Sequence, residues 1–165
     1  DPIKTHNLYE ILDNSLILTK TTLDSKEIRL TINNNLENIF TQCRFNQIQQ
    51  VIFNLMNNAI DAVQQINDDR WIEINLYSDR NNNCVFEIIN AGPKICNEIV
   101  KNLFTPFYTT KKIGTSTGLG LSIAKGIILN HNGEIFLDES KSHTCFIFKL
   151  PKENINSSNP VNKAA

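Results

Sequence analysis

The sequence predicts an α+β sandwich, a mixed and mainly antiparallel sheet with helices packed on one face. Three observations carry that prediction. Residues Asn46 to Ile66 (NQIQQVIFNLMNNAIDAVQQI) place Val51, Ile52, Leu55, Met56, Ala59, Ala62 and Val63 on one broad arc when wound at 3.6 residues per turn, as a core-facing helix does. Trp71 to Tyr77 (WIEINLY) and Cys84 to Ile89 (CVFEII) alternate or run apolar around the turn-rich Ser78 to Asn83, and Glu134 to Leu137 with Thr144 to Leu150 (TCFIFKL) repeat the pattern. The helical stretches are grouped among these pairs and do not alternate strictly with strands, which argues against a purely parallel sheet.

In chain order, residues 1–6 read as linker, because the chain opens abruptly at Asp1-Pro2 like a piece of something longer. Asn7 to Leu23 is a helix: Asn7 and Glu10 have capping-box spacing, and Leu8, Ile11, Leu12 and Leu16 form its stripe. Ile28 to Ile32 alternates as a strand, Asn33-Asn34-Asn35 reads as a turn, and Ile39 to Thr41 as a short second strand. After the central helix and first strand pair, Asn90-Ala91-Gly92-Pro93 breaks the chain and Ile95 to Phe104 reads as a short helix. Thr105 to Thr117 has no period and is a loop of the length that forms lids or binding loops. Gly118 to Asn130 is helical and Asn132-Gly133 ends it. The domain closes near Leu150, and residues 151–165 have the polar, turn-rich composition of a disordered tail.

At 165 residues the chain suffices for one domain with a real core. Sixteen basic against seventeen acidic residues leave no surplus to draw nucleic acid or an anionic membrane. The four cysteines lack C-x-x-C spacing, so neither a zinc knuckle nor a disulfide framework is suggested, and they read as dispersed core thiols in a reducing cytosol. No apolar run reaches membrane-spanning length and no signal peptide is visible.

Four features could carry chemistry. The polar arc of the central helix holds Gln47, Gln50, Asn54, Asn57, Asn58, Asp61, Gln64 and Gln65, without one Lys, Arg or Glu. A solvated helix back usually carries charged, strong helix formers, and Asn is a poor one, so a binding wall is the preferred reading. Asn54 and Asn58, one turn apart, can converge on a hard cation or ligand. Asn90-Ala91-Gly92 joins a hydrogen-bonding side chain to a residue that admits close backbone approach, although a plain strand-ending turn fits too. Gly118-Leu119-Gly120-Leu121 opens a helix whose bare N–H groups favour an anion, a weak signal alone. Lys111-Lys112 lies just upstream among Thr109, Thr110, Thr115 and Thr117, either solvated or a clamp.

Taken together, the amide-rich NLMNNAIDA helix, the strand ending N-x-G, the LFTPFYTTK loop and the GLGLSIAKGII run resemble the superfamily that groups gyrase, heat-shock chaperone, histidine kinase and mismatch-repair ATPases. Within it, Asn7 to Leu150 is most similar to the catalytic, ATP-binding domain of bacterial sensor histidine kinases of the nitrogen-regulator-like group. The resemblance implies a Bergerat-type sandwich with a flexible ATP lid, and ATP with Mg²⁺ as ligands. It implies Asn58 as metal ligand, Asn54 beside it on metal or phosphate, and Asn54 with Lys111 as catalytic positions. Asn90 would accept from the adenine amino group, Gly92 would admit the base, and Thr144 would lie near it. Phe104 and Phe107 fall in the box that supports the lid, and Lys111, Gly118, Leu119 and Gly120 would meet the phosphates. Asn57, Asp61, Ile95, Thr110, Ser116, Thr117 and Leu121 complete the implied nucleotide contacts.

This chain departs from the family pattern at several places. Asn90-Ala91-Gly92-Pro93-Lys94 stands for D-x-G-x-G, Ser116 replaces a common glycine, and Lys141, Ser142 and His143 stand where glycines are expected. A neutral acceptor at Asn90 bonds more weakly than a carboxylate, which implies reduced affinity or looser base selectivity. Asn54 occupies the place where hydrolysing members carry a Glu general base, and an amide cannot take a proton. The preferred expectation is therefore a protein histidine kinase domain of a two-component system, whose work is positioning and charge neutralisation. His6, His131 and His143 read as structural or surface residues, so the phospho-acceptor would lie on upstream dimerisation helices of a homodimeric parent that passes phosphate to a response regulator. The domain itself would be cytoplasmic, monomeric, and free of nucleic-acid or membrane contact. A nucleotide-free interaction module of the same fold, and a free-standing ATPase or serine kinase, stay open.

Overall fold

The structure, a computed structural model, describes residues 1–35, 39–111 and 117–155. Strand β1 (Lys4–Asn7) comes first and runs antiparallel to β3 (Phe40–Cys43), His6 opposite Thr41. Half of the stretch read as linker is thus strand, unflagged because KTHN carries no apolar alternation. Helix α1 (Leu8–Ser25) starts where Asn7 Oδ1 accepts from Tyr9 N at 3.0 Å, and buries Leu8, Ile11, Leu12 and Leu23. Strand β2 (Arg29–Asn34) runs through two of the asparagines expected in a turn. The override is tertiary: Asn33 pairs with Asn75 across the ladder, its Nδ2 donating to Asn75 Oδ1 at 2.8 Å.

Helix α2 (Phe45–Val63) packs between α1 and α4 (Gly120–Asn130) and over β4 (Trp71–Ser78) and β5 (Asn83–Asn90). Its apolar face is buried throughout, from Ile48 through Val51, Ile52, Leu55, Met56, Ala59 and Ile60 to Val63. With β6 (Glu134–Leu137) and β7 (Thr144–Pro151), the main sheet has the order β2-β4-β5-β7-β6; β2 is parallel to β4 and the other pairs are antiparallel. Alternation then sorts the side chains. Ile72, Ile74, Leu76, Cys84, Phe86 and Ile88 face the helices, while Val85, Ile89, Cys145, Ile147, Tyr77 and Phe136 form a smaller cluster on the other face. Phe86 and Phe148 stack at 4.8 Å in the middle of the core, each worth about 3–5 kcal/mol by the usual cost of truncation to Ala.

Burial pushes the Cys43 thiol up to about 11 and the Cys84 thiol to about 12. Cys145 is pushed to about 12 by burial and the neighbouring Glu87 carboxylate. Cys96 does not share this setting. It is exposed, and the expectation of four core thiols fails there. His131 is buried: Nε2 accepts from Arg44 N at 3.1 Å, so Nδ1 carries the proton and donates to Ile127 O at 2.7 Å. It ties the end of α4 to the start of α2, as a structural histidine. His6 and His143 lie edge-on against Phe45 and Trp71.

Two further boundaries move. The helix expected over Ile95 to Phe104 shrinks to α3 (Asn97–Val100), which buries no side chain and so has no core face to extend it. Past β7, Lys152 N donates to Asn82 O at 3.0 Å and Glu153 N to Phe40 O at 2.6 Å, so the first residues after Pro151 are docked. Residues 156–165 of the expected tail lie outside the described residues.

Candidate functional site

Beside the polar arc of α2, the fold leaves a cavity of about 490 Å³. Asn58, Asp61 and Ala62 of α2, at positions i, i+3 and i+4 of a single helix face, form one wall with Gln65 in the turn that follows. The end of β5 and the turn after it supply Asn90, Pro93 and Lys94. Ile95, Cys96, Ile99 and Leu103 form an apolar side, and Thr144 and Phe146 of β7 the floor. Tyr108 to Lys111, Gly118, Gly120 and Leu121 close the far end.

The Asn90 end is tightly specified. Asn90 is only 3% exposed, and its Oδ1 accepts from Gly92 N at 2.9 Å, an Asx turn that sets the chain's exit from β5. A Cβ on Gly92 would lie 2.7 Å from that oxygen and 3.3 Å from Ala62 Cβ, so glycine is required by close approach. Thr144, opposite Asn90 in the ladder, donates its hydroxyl to Pro93 O at 2.8 Å. Phe104 packs edge-on against Phe146 at 6.4 Å, with the Lys125 ammonium 5.5 Å from its ring centroid.

The opposite end suits an anion. Leu119 caps α4 without a side-chain bond, and the first turn carries no acidic residue, so the helix start keeps its partial positive charge. Gly118 precedes it at φ 68°, and a Cβ there would meet the Phe107 carbonyl carbon at 2.5 Å. Asn54 Nδ2 donates to Gly120 O at 3.0 Å, fastening the glycine turn to α2. The Lys111 ammonium pairs with the Asp61 carboxylate at the mouth, and Asp61 also receives Gln64 Nε2 at 3.4 Å. The Asn58 amide, on the same wall, makes no hydrogen bond among the described residues.

Of the positions singled out in the sequence, the cavity brings together Asn58, Asp61, Asn90, Ile95, Thr110, Lys111, Gly118, Gly120, Leu121 and Thr144. Asn54 and Gly92 stand behind this lining, bonded to Gly120 and Asn90. Leu119 and Thr117 are joined by a Leu119 N–H to Thr117 Oγ1 bond of 3.4 Å beside it. Asn57 is not in the wall: one residue from Asn58 is about 100° around a helix. Phe107 is 75% exposed at φ 64°, turned away from the cavity, so Phe104 alone of the two rings is anchored. Ser116 and Lys112 lie outside the described residues. Gln65, Thr109, Pro93 and Lys94 entered the sequence reading only as parts of the polar arc, the threonine-rich loop and the altered N-x-G box, while Ala62, Cys96, Ile99, Leu103, Tyr108 and Phe146 were not singled out. The i, i+4 relation of Asn58 to Ala62 was the available signal for one of them.

Residues 43–154 match the family of histidine kinase-, DNA gyrase B-, and HSP90-like ATPases. The sensor histidine kinase ZraS of Salmonella typhimurium is 33% identical over 135 residues, covering 81% of this chain and 28% of ZraS. The sensor protein KdpD of Clostridium acetobutylicum is 38% identical over 111 residues, covering 64% of this chain and 12% of KdpD. The chain thus spans a small part of these relatives. Among solved structures, the catalytic domain of histidine kinase ThkA in a nucleotide-free form superposes with TM-score 0.80 at 31% identity, over 92% of this chain and 97% of that one. ThkA in complex with the response regulator TrrA gives TM-score 0.76 at 28% identity, over 92% of this chain and 42% of that one.

Proposed function

The chain belongs to the family of histidine kinase-, DNA gyrase B-, and HSP90-like ATPases, and on that premise we propose that it is the nucleotide-binding catalytic domain of a sensor histidine kinase. It holds a purine nucleoside triphosphate, ATP in the family, with Mg²⁺. The base lies at the Asn90 end and the phosphates at the start of α4. The observation that carries this reading is the polarity of the cavity: an apolar, Asn90- and Thr144-marked end, and an uncapped helix start with Lys111 at the other.

Mg²⁺ fits the donor set. The Asn58 amide has a hard oxygen on the cavity wall with no other partner among the described residues, and oxygen is what Mg²⁺ takes. Bound there, the ion would offset charge on the phosphates. The residues of the chain do the positioning. Gly118 and Gly120 let backbone N–H groups approach the phosphates, Lys111 neutralises them, and Asn54 holds the glycine turn in register. The acceptor imidazole nitrogen then forms the bond to the γ-phosphorus as the bond to the bridging oxygen breaks, and the nucleoside diphosphate leaves. His6, His131 and His143 are held against Phe45, between Ile127 and Arg44, and against Trp71, so the acceptor comes from a dimerisation domain outside this chain. A response regulator is the downstream partner.

Asn54 favours transfer over hydrolysis, since an amide there cannot activate water. An open cavity with these end groups weighs against a nucleotide-free interaction module. None of the described helices is long and apolar enough to cross a membrane, and a domain that consumes a nucleoside triphosphate belongs on the cytoplasmic side of any parent. Calorimetry with a β,γ-imido triphosphate tests the proposal. Native protein should bind in a Mg²⁺-dependent way and Asn58→Ala should weaken that binding at least tenfold; no binding by native protein at millimolar nucleotide would refute it.

A further inference from the structure

The side chain of Asn90 has one fixed orientation, and its chemistry follows. Gly92 N lies 2.9 Å from one terminal atom of the amide. A backbone N–H only donates, so that atom is the carbonyl oxygen; a flipped amide would set two donors face to face. The oxygen is wedged behind the wall, since a Cβ on Gly92 would reach it at 2.7 Å with Ala62 close by. What remains is Nδ2, a donor with no partner among the described residues. Among the described residues, the one buried side-chain polar atom left both sealed and unbonded is Asn34 Oδ1, so Nδ2 is not sealed. Its outlet is the cavity that Asn90 lines, while Asn90 as a whole is 97% buried. The neighbouring Thr144 hydroxyl donates to Pro93 O at 2.8 Å, and among the described residues no hydrogen bond joins its oxygen to Nδ2.

A donor whose outlet is the cavity calls for an acceptor on any ligand that fills the cavity and excludes water from it. Adenine carries an amino group at position 6 and would meet Nδ2 donor to donor. Guanine carries a carbonyl there, as does hypoxanthine, and would accept from it. A carboxylate at this position offers acceptors only and selects the opposite way. We propose that Asn90 turns the base end of the cavity toward 6-oxopurine nucleotides, those of inosine and guanosine, and away from adenine.

The proposal rests on the nucleotide-site reading, and the test separates the two. Binding of ADP, IDP and GDP to the native chain and to Asn90→Asp is measured by calorimetry with Mg²⁺; diphosphates avoid turnover, and IDP differs from ADP only at the 6-position and its adjoining N1 proton. The native chain should bind IDP at least as tightly as ADP. Asn90→Asp, whose carboxylate still accepts from Gly92 N, should shift the IDP to ADP affinity ratio at least tenfold toward ADP. Tighter binding of ADP by the native chain, or a ratio unmoved by Asn90→Asp, overturns the base assignment and leaves the nucleotide site standing. Binding of none of the three overturns the site itself.

Discussion

Lys111 and Asp61 meet at the mouth of the cavity, and their pairing sets a competition that is decided residue by residue. Both side chains are about one-third exposed, at 29% and 34%, so the pair contributes about 1 kcal/mol at most. A triphosphate carries more charge than a carboxylate and draws Lys111 away, at the cost of leaving Asp61 facing the same anion. Removing the carboxylate should therefore help. Asp61→Asn is expected to tighten triphosphate binding roughly fivefold, the factor that corresponds to about 1 kcal/mol. Titrations at two salt concentrations check this, since the gain should shrink as salt screens the charges. An unchanged affinity would mean that Lys111 does not reach the phosphates. Asn58 and Asn90 act at the same scale, one through an unpaired amide and the other through a donor fixed by its backbone neighbour.

At the scale of elements, the β4–β5 hairpin shows how a polar turn secures a strand pair. Asp79 Oδ1 accepts from Asn81 N at 2.9 Å and Asn83 N at 3.0 Å, and Oδ2 lies 3.2 Å from Lys149 Nζ on β7. Burial alone would raise the carboxyl, but the Asn83 side chain and backbone, then Lys149 and Asn81, outweigh it and hold the group below its ordinary value of 3.8. A lowered folded pKa means stability that is present above the unfolded value and lost as pH falls through the folded one. Thermal melts from pH 7 down to pH 2 should show Tm falling below about pH 4, and Asp79→Asn should flatten part of that fall while lowering Tm at neutral pH. The same hairpin was legible in sequence because SDRNNN separates two apolar runs. Helix α2 was legible because an apolar arc repeats at helical spacing over five turns. β1 and the asparagine end of β2 were not. KTHN has no period, and Asn33-Asn34 is extended only because β4 supplies a partner ladder that local propensity opposes.

At the scale of the whole molecule, one sheet backs three helices, and the cavity opens where α2, the end of β5 and the start of α4 come together. The regular parts of the site could be read from the chain: Asn54 and Asn58 stand out as amides one turn apart on a helix face, and the Asn90–Gly92 exit and the glycines at the start of α4 sit at element ends, where residue type speaks for itself. On the apolar side, Ile95 was named through the family resemblance, but Ile99, Leu103 and the exposed Cys96 were not, because their spacing reads as an ordinary helix face and only the short α3 forms there. Asn57 was misplaced by one step around α2 for the opposite reason: a run of polar residues defines an arc, and only packing says where its edge falls. A crystal structure of the chain with Mg²⁺ and a β,γ-imido triphosphate tests the central claim most directly. It should place the base against Asn90 and Thr144, the phosphates on the N–H groups at Gly118 to Gly120, and the ion on Asn58. A nucleotide lying in the reverse sense, or bound elsewhere on the molecule, would contradict the account.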